Sequence, residues 1–413
     1  MKNKNQPISV EEAQKIILES VVPLGGEDVS IMKAYNRVLY EDIVSDIMVP
    51  PLDDSAMDGY AIIARDTMGA SREKPATLKV IGEVQAGISD IGKTVSRGTA
   101  IRIMTGAHIP RGADAVVQFE DTEEEAASVK VFRQVPQHDN YRFAGESIKK
   151  GDTVLQKGDR LNSADVGILA ALNHTTVKVY KLPSVSIIST GDELADIGEE
   201  IQAGQIRNVN AYSLYSEIIR YGIIPDYLGI AKDTLEDTKE IFSKALQADV
   251  VISTGGISMG KYDFVKDMYA SLNIDTQFEW IKVKPGRPCT FAKIDNKLIF
   301  GLPGNPVSTL TSFIQFVRPA LLRLMGAQRI NKPVVNAFLE EDIKKQPGKV
   351  HLLRGYYRIE NNDFYVSTTG NQKSSVLRSM SDANCLIIIP ENTTNVRAGE
   401  KVAIQLIYHD EIG

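Results

Sequence analysis

Cysteine is nearly absent from this chain. Cys289 and Cys385 are the only two in 413 residues, and they match no zinc or disulfide spacing. That scarcity fits a reducing, cytoplasmic setting. The 5 histidines form no zinc-type pattern. No basic excess exists: 47 Lys and Arg stand against 53 Asp and Glu, a net charge of −6, which argues against general nucleic-acid binding. No apolar run approaches the ~18 residues of a membrane span. Met1–Pro7 is polar and has no signal-peptide apolar region. Neither a Walker lysine nor a GxGxxG spacing occurs, so ordinary NTPase and dinucleotide folds do not fit. With 43% apolar and 24% charged residues the chain is globular. Its length suggests about two to four domains.

What is present changes grammar along the chain. Ser9 and Glu12 form a capping box before an apolar stripe of Ala13, Ile16, Ile17 and Val21 at helical spacing. Pro23 and the Gly25-Gly26 pair end that helix, and a second helical stretch is expected to finish near Tyr40. Val49-Pro50-Pro51-Leu52 is held extended by its prolines and reads as a linker. From 53 to 141, short apolar runs between glycine-bearing turns predict strands. The charge run from Glu120 to Glu125 there reads as a solvated hairpin tip. Ser163 is expected to cap a helix over 164–172.

After Pro183 the pattern becomes strand, loop, helix, repeated. Strands are expected at 185–189, 249–253 and 298–302, and helices at 209–221, 233–247, 264–272 and from 306 to 325. That alternation implies a parallel sheet covered on both faces. Past Pro333 strands return. The expected fold class is multidomain α/β plus β. Its parts are a linker domain (1–52 and 142–182), a β-rich domain (53–141), a three-layer α/β domain with a parallel-rich sheet (183–327) and a C-terminal β domain (328–413).

In such a sheet, ligands bind beyond the carboxyl ends of the strands. Three loops leave those ends: Ser189-Thr190-Gly191-Asp192-Glu193, Ser253-Thr254-Gly255-Gly256 and Gly301-Leu302-Pro303-Gly304-Asn305-Pro306. Gly255 and Gly256 can bring backbone close to a ligand and offer N–H groups to an anion, or simply turn the chain into a helix. Adjacent Asp192 and Glu193 after a buried strand are costly unless solvated, hydrogen-bonded or on a cation. Asp233, with Glu236 three residues on, is well explained as a helix cap. Lys282, Lys284 and Arg287 on a proline-framed loop suit oxyanion binding or an exposed turn equally. Together these features point to metal-assisted chemistry on a phosphorylated or nucleotide-bearing ligand.

The ordered strings Ser55-Ala56-Met57-Asp58-Gly59-Tyr60, Met104-Thr105-Gly106, Ser189 to Leu194, Ser253-Thr254-Gly255-Gly256, Lys284-Pro285-Gly286 and Leu302 to Ser308 resemble the molybdopterin molybdenumtransferase family, which includes bacterial MoeA and the gephyrin E domain. The resemblance spans nearly the whole chain. It implies insertion of molybdate into adenylylated molybdopterin, with Mg²⁺-assisted loss of AMP. It also implies that the α/β domain is of the molybdopterin-binding type and that the linker domain is elongated and dimerises. The active site is then shared across a homodimer. Dealings with the molybdopterin adenylyltransferase and with recipient molybdoenzymes follow from the same likeness.

By motif position, the resemblance makes Asp58, Thr105, Glu193, Asp233 and Asp263 catalytic, with Asp58 and Thr105 arriving from the partner's side and Glu193 and Asp263 holding the metal. Substrate contacts fall to Thr190, Gly191, Asp192, Ser253, Gly255, Gly256, Lys282, Lys284, Pro303, Gly304, Asn305 and Pro306, with Arg142, Arg354 and Ser375 where the family places anion-binding groups. Two positions depart from the family pattern. Gly145-Glu146-Ser147 stands where Gly-Glu-Asp is usual, and Trp280 stands where a lysine often precedes Lys284 by four. Two further readings are a hydrolase on the same sheet and a scaffold that has lost turnover; the set of carboxylates argues against the scaffold.

Overall fold

A computed structural model describes residues 6–87, 92–255, 268–269 and 271–407. The α/β unit has a six-stranded sheet in the order Asp226–Ala231, Val185–Thr190, Val250–Thr254, Lys297–Leu302, Pro288–Ile294, Asp275–Trp280. The first four are parallel, and Pro288–Ile294 runs against both its neighbours. Successive residues serve opposite faces, as the pleat requires. Ile187, Ile252 and Phe300 pack into one core, whereas Ile188, Val251 and Ile299 pack into the other. The sheet is therefore buried on both sides, as its near-continuous apolar strands predict.

The helix Val10–Glu19 packs on this unit. Ser9 Oγ accepts from Glu12 N–H at 3.1 Å, and Val10, Ala13 and Ile17 join the larger core of the sheet. A π-helical stretch, Phe313–Val317, interrupts the long helix between Pro306–Ser312 and Arg318–Leu324. The Gln315 carbonyl there accepts from Gln14 Nε2 at 3.1 Å, which registers the first helix.

The expected second helix is instead the strand Gly26–Ser30, paired antiparallel with Thr176–Tyr180, followed by a single 3₁₀ turn, Ile31–Lys33. The partner strand supplies ladder bonds that a three-residue helix cannot. The cap at 163 also moves: Asn162 makes the full capping box with Asp165, and the helix runs Ser163–Ala171. The expected helix over 264–272 falls largely outside the described residues.

Residues 53–141 form their own six-stranded sheet with a core on each face. The strands Asp54–Ser55 and Tyr141–Arg142, an antiparallel pair, are where the chain enters and leaves this unit. The charge run expected at a hairpin tip instead forms a 3₁₀ turn, Phe119–Asp121, and the hairpin strand Thr122–Glu125, which pairs with Ser128–Val131 and leaves Ala126-Ala127 at the tip. In the C-terminal unit the long strand Val350–Glu360 pairs with both Asp363–Thr368 and Cys385–Ile389, which closes the sheet into a barrel. No described helix is long and apolar enough to cross a membrane.

Ile17 is 1% exposed within the sheet's core, whereas Lys15 is exposed and pairs only with Glu19. Ile17→Ala should therefore cost about 3 kcal/mol, and Lys15→Ala less than about 0.5 kcal/mol. Chemical denaturation of the two variants checks that the first helix is part of the α/β core.

Candidate active site

Thr190 and Thr254 close adjacent parallel strands, and their loops open onto a cavity of about 370 Å³. Leu194, Ile206, Pro288 and Pro303 give it apolar walls, and Thr190, Glu193, Gly255 and Asn305 are among its polar lining. Gly255 has φ +86°, and a Cβ there would lie 2.4 Å from the Thr190 carbonyl oxygen. Glycine is thus required for the strand to turn. Gly191 (φ +137°) serves the neighbouring loop: the Glu193 carboxylate folds over it, and a Cβ would meet Glu193 Oε2 at 2.5 Å.

The Gly255 N–H, one of the two groups expected to face an anion, is engaged within the sheet. It continues the parallel ladder by donating to Leu302 O at 3.2 Å. Gly256 and Asp263 lie outside the described residues. Ser253 is buried, and its Oγ has no partner among the described residues. Beneath the cavity, Asn208 Nδ2 donates to Tyr227 Oη at 2.7 Å, and Tyr227 donates to Asp196 at 2.8 Å. Burial pulls the Asp196 carboxyl upward, but hydrogen bonds from Tyr212 and Tyr227 outweigh it and hold the group below its ordinary range.

An acidic rim flanks the cavity. Asp192 Oδ1 accepts from the Asp233 N–H at 3.2 Å. Asp233 itself is not the cap of the following helix; Thr234 is, accepting from Asp237 N–H. The Asp233 carboxyl is raised above its ordinary value, chiefly by desolvation, with Asp192 and Glu193 adding negative charge against an opposing backbone hydrogen bond. None of these three acids has a cationic partner among the described residues. Hard, uncompensated oxygens of this kind suit a divalent cation. Among the described residues, no three side chains converge as a ready metal cage.

A second, larger recess of about 990 Å³ shares Pro288, Pro303 and Asn305 with the first. It is basic. Arg354 is 1% exposed and has no carboxylate partner among the described residues. Its guanidinium meets only Ser379 Oγ at 3.1 Å and the carbonyls of Asn371 and Lys373 at 3.4 and 3.3 Å. Burial pushes its pKa down to about 10, so it stays charged near neutrality. Lys284 and Ser375 line the same groove. Arg287, also in the lining, stacks its guanidinium over Trp280 at 5.3 Å, which gives the unexpected tryptophan a place. Lys282 points elsewhere, 3.4 Å from Glu391. Asn305 makes no side-chain cap bond at the helix start, and Pro306 takes the first helical position.

Asp58 and Thr105 meet within the 53–141 unit. Asp58 Oδ1 accepts from Thr105 N–H at 2.7 Å and from its hydroxyl at 2.8 Å. These two bonds, the backbone one first, hold the exposed carboxyl below its ordinary value. Among the described residues, no hydrogen bond or cavity joins this pair to the sheet's strand ends. Arg142 stays in the neck, its Nε 2.6 Å from Asp54 Oδ1. Ser147 is exposed and its N–H donates to Val49 O at 3.0 Å. Glu146 Oε2 accepts from Phe143 N–H at 3.1 Å, so that carboxylate is engaged in its own turn.

Sequence reasoning missed Asn210. It lines the smaller cavity, and its Nδ2 donates to Gly304 O at 2.8 Å. An asparagine just inside a helix is a poor helix former, and that was its available signal.

Three family models match the chain. "MoeA N-terminal region (domain I and II)" matches 8–173, "Probable molybdopterin binding domain" 186–323 and "MoeA C-terminal region (domain IV)" 336–407. A protein named molybdopterin molybdenumtransferase from Staphylococcus epidermidis is 36% identical, covering 98% of this chain and 96% of that one. One of the same name from Haemophilus influenzae is 36% identical over 97% and 99%. The crystal structure of a molybdopterin biosynthesis MoeA protein from Pyrococcus horikoshii is similar with a TM-score of 0.82 and 34% identity, covering 97% of this chain and 100% of that one.

His351 lines the basic groove, and its pKa falls from 6.5 to about 4, first through burial and then through Lys284, Lys345 and Lys349. The fold favours the neutral ring, so unfolding takes up a proton between those values. Stability therefore falls as pH drops from 6.5 towards about 4. His351→Gln should flatten that part of a melting-temperature profile against pH, and an unchanged slope would show that other groups carry it.

Proposed function

The chain belongs to the MoeA family, and from that premise we propose that it is a molybdopterin molybdenumtransferase, inserting molybdenum into molybdopterin in molybdenum cofactor biosynthesis. The observation that carries this reading is Arg354. A buried guanidinium without a carboxylate is costly, and here it lines a groove whose neighbour is a cavity of about 370 Å³ with partly apolar walls. An oxyanion beside a pterin accounts for both.

In this reading the molybdate dianion is drawn by Lys284 and Arg354, with Ser375 on the same wall. The adenylylated pterin occupies the cavity closed by Thr190, Gly255 and Asn305. Mg²⁺ falls to Glu193 and Asp263, and there it would offset charge on the phosphoanhydride as AMP leaves. Asp58 arrives from the second subunit of a homodimer. Held ionised by Thr105, it is a poor proton acceptor and a good fixed negative charge. A cytoplasmic setting and exchange with the adenylyltransferase and recipient molybdoenzymes complete the proposal.

The test is incubation of purified protein with adenylylated molybdopterin, Mg²⁺ and molybdate. AMP release should match molybdenum uptake. AMP without uptake would favour the hydrolase, and neither would favour the scaffold. Glu193→Gln should lower the rate at least roughly ten-fold with little change in melting temperature. Mixing Asp58→Ala and Glu193→Gln chains should restore at most about a quarter of the sites, since only mixed dimers carry one intact site. No recovery after confirmed subunit exchange would place the site within one chain.

Ser147 removes a carboxylate that a molybdate dianion would otherwise face, and Glu146 is tied to Phe143. Ser147→Asp should weaken molybdate binding, raise the insertion rate, or both. Titration and single-turnover AMP release, side by side, decide it; no change in either would remove this position from the site.

A further inference from the structure

The loop between Gly191 and Asn208 carries Glu193, Leu194 and Ile206 to the smaller cavity, yet it has little apolar anchorage. Across residues 192–206 only Ala195 is buried, and Ile197, Ile201 and Ile206 are exposed. The parallel pair Leu194-Ala195 and Ile206-Arg207 closes the loop, with the Ile206 N–H donating to Glu193 O at 2.8 Å and the Asn208 N–H to Ala195 O at 3.0 Å. These bonds run within the loop. Among the described residues, two of its side chains bond to other elements. One is Asp192, which accepts from the Asp233 N–H at 3.2 Å, and the other is Asp196.

Asp196 makes the stronger tie. Tyr212, from the helix Val209–Ile219, donates to its Oδ1, and Tyr227, from the strand Asp226–Ala231, donates to its Oδ2 at 2.8 Å. Hydrogen bonds to an ionised acceptor are roughly twice as strong as neutral ones. The two rings pack 5.9 Å apart, so one carboxylate is gripped by two elements at once. Behind Tyr227 the grip runs on to the strand ends. Asn208 Nδ2 donates to Tyr227 Oη at 2.7 Å, and Asn208 Oδ1 accepts from Ser189 Oγ at 3.2 Å. Ser189 Oγ in turn accepts from Thr254 Oγ1 at 3.3 Å. Neither Asp196 nor either tyrosine lines the cavity. We infer that Asp196 is a positioning residue, which through Tyr212 and Tyr227 holds Glu193 and the loop wall at the cavity. The inference rests on the reading of this cavity as the pterin-nucleotide site.

Asp196→Asn keeps the size of the side chain but replaces one acceptor with a donor, and Tyr212→Phe removes one of the two hydroxyls. Hydrogen exchange on the full-length protein should show the Ile206 and Asn208 amides opening at least roughly ten-fold faster in both variants. The amides of Val250–Thr254 and the melting temperature should change little. In the AMP-release assay the KM for adenylylated molybdopterin should rise roughly five-fold. The KM for molybdate should stay as it was, because no residue of this loop lines the basic groove. Unchanged exchange at 206 and 208, or faster exchange throughout the sheet, overturns the inference. Faster local exchange with both KM values unchanged would make the clamp structural alone and overturn its part in the reaction, as would failure of both variants to fold. Absence of AMP release from the wild-type protein overturns the proposed function, and the exchange comparison then still decides whether Asp196 holds the loop.

Discussion

The parallel pairing of Val283–Lys284 with Val350–His351 joins two units that also share a core, since Leu352, Met380, Leu386 and Ile407 belong to the same apolar cluster as Phe300, Phe313 and Phe316. The segment leaves the α/β sheet after Trp280 and serves as an edge strand of the C-terminal sheet before returning at Pro288. Each flank adds a tie. Val307 N–H donates to Ser374 O at 3.1 Å, and Lys282 meets Glu391. Because the ladder passes through Lys284, that side chain is set on the groove by backbone hydrogen bonds of both units. The groove exists because the units cannot separate there. Arg354, four residues along the partner strand from Val350, is carried to the same wall.

Charge is sorted across this junction. Acids collect at the strand ends as Asp192, Glu193 and Asp233, and cations collect in the groove as Lys284, Lys349 and Arg354. Neither group is internally neutralised, which leaves each with an unmet partner. Only Arg354 among them is buried, and there the low local dielectric makes an unpaired charge expensive, whereas Asp192, Glu193, Asp233 and Lys284 are exposed to solvent. Pro303 and Asn305 stand between them on the lining of both recesses.

The α/β unit was legible because its strands are continuous apolar runs that end in unusual loops. The C-terminal sheet was legible from its return to strands, whereas the Glu120–Glu125 charge run, read as a hairpin tip, is the hairpin's first strand and its approach. Ser9 was read correctly as a cap, and two other caps were read one residue off. Asn162 and Thr234 each lie beside the residue first favoured, and Ser163 and Asp233 are chemically plausible neighbours. The strand Gly26–Ser30 was hidden because its partner, Thr176–Tyr180, lies far along the chain, and periodicity reports only local preference. Gly255 fitted a phosphate nest on paper, but strand continuation claimed its N–H. Arg354 carried no local signal of burial, and Asn210 offered only its poor fit to a helix. The significance of Arg354 lies in a partner it lacks, which a sequence does not display.

The neck of the 53–141 unit is one antiparallel pair, Asp54–Ser55 against Tyr141–Arg142. Chain entry and chain exit are therefore neighbours, roughly 5 Å apart at Cα. The cores within the unit draw on no residue outside it. In the language of assembly, the unit is an insertion: a short turn could replace it, and the remaining chain would lose no core contact. Asp58 and Thr105 are thus housed in a detachable cassette, whose interior can be rebuilt without disturbing the core of any other unit.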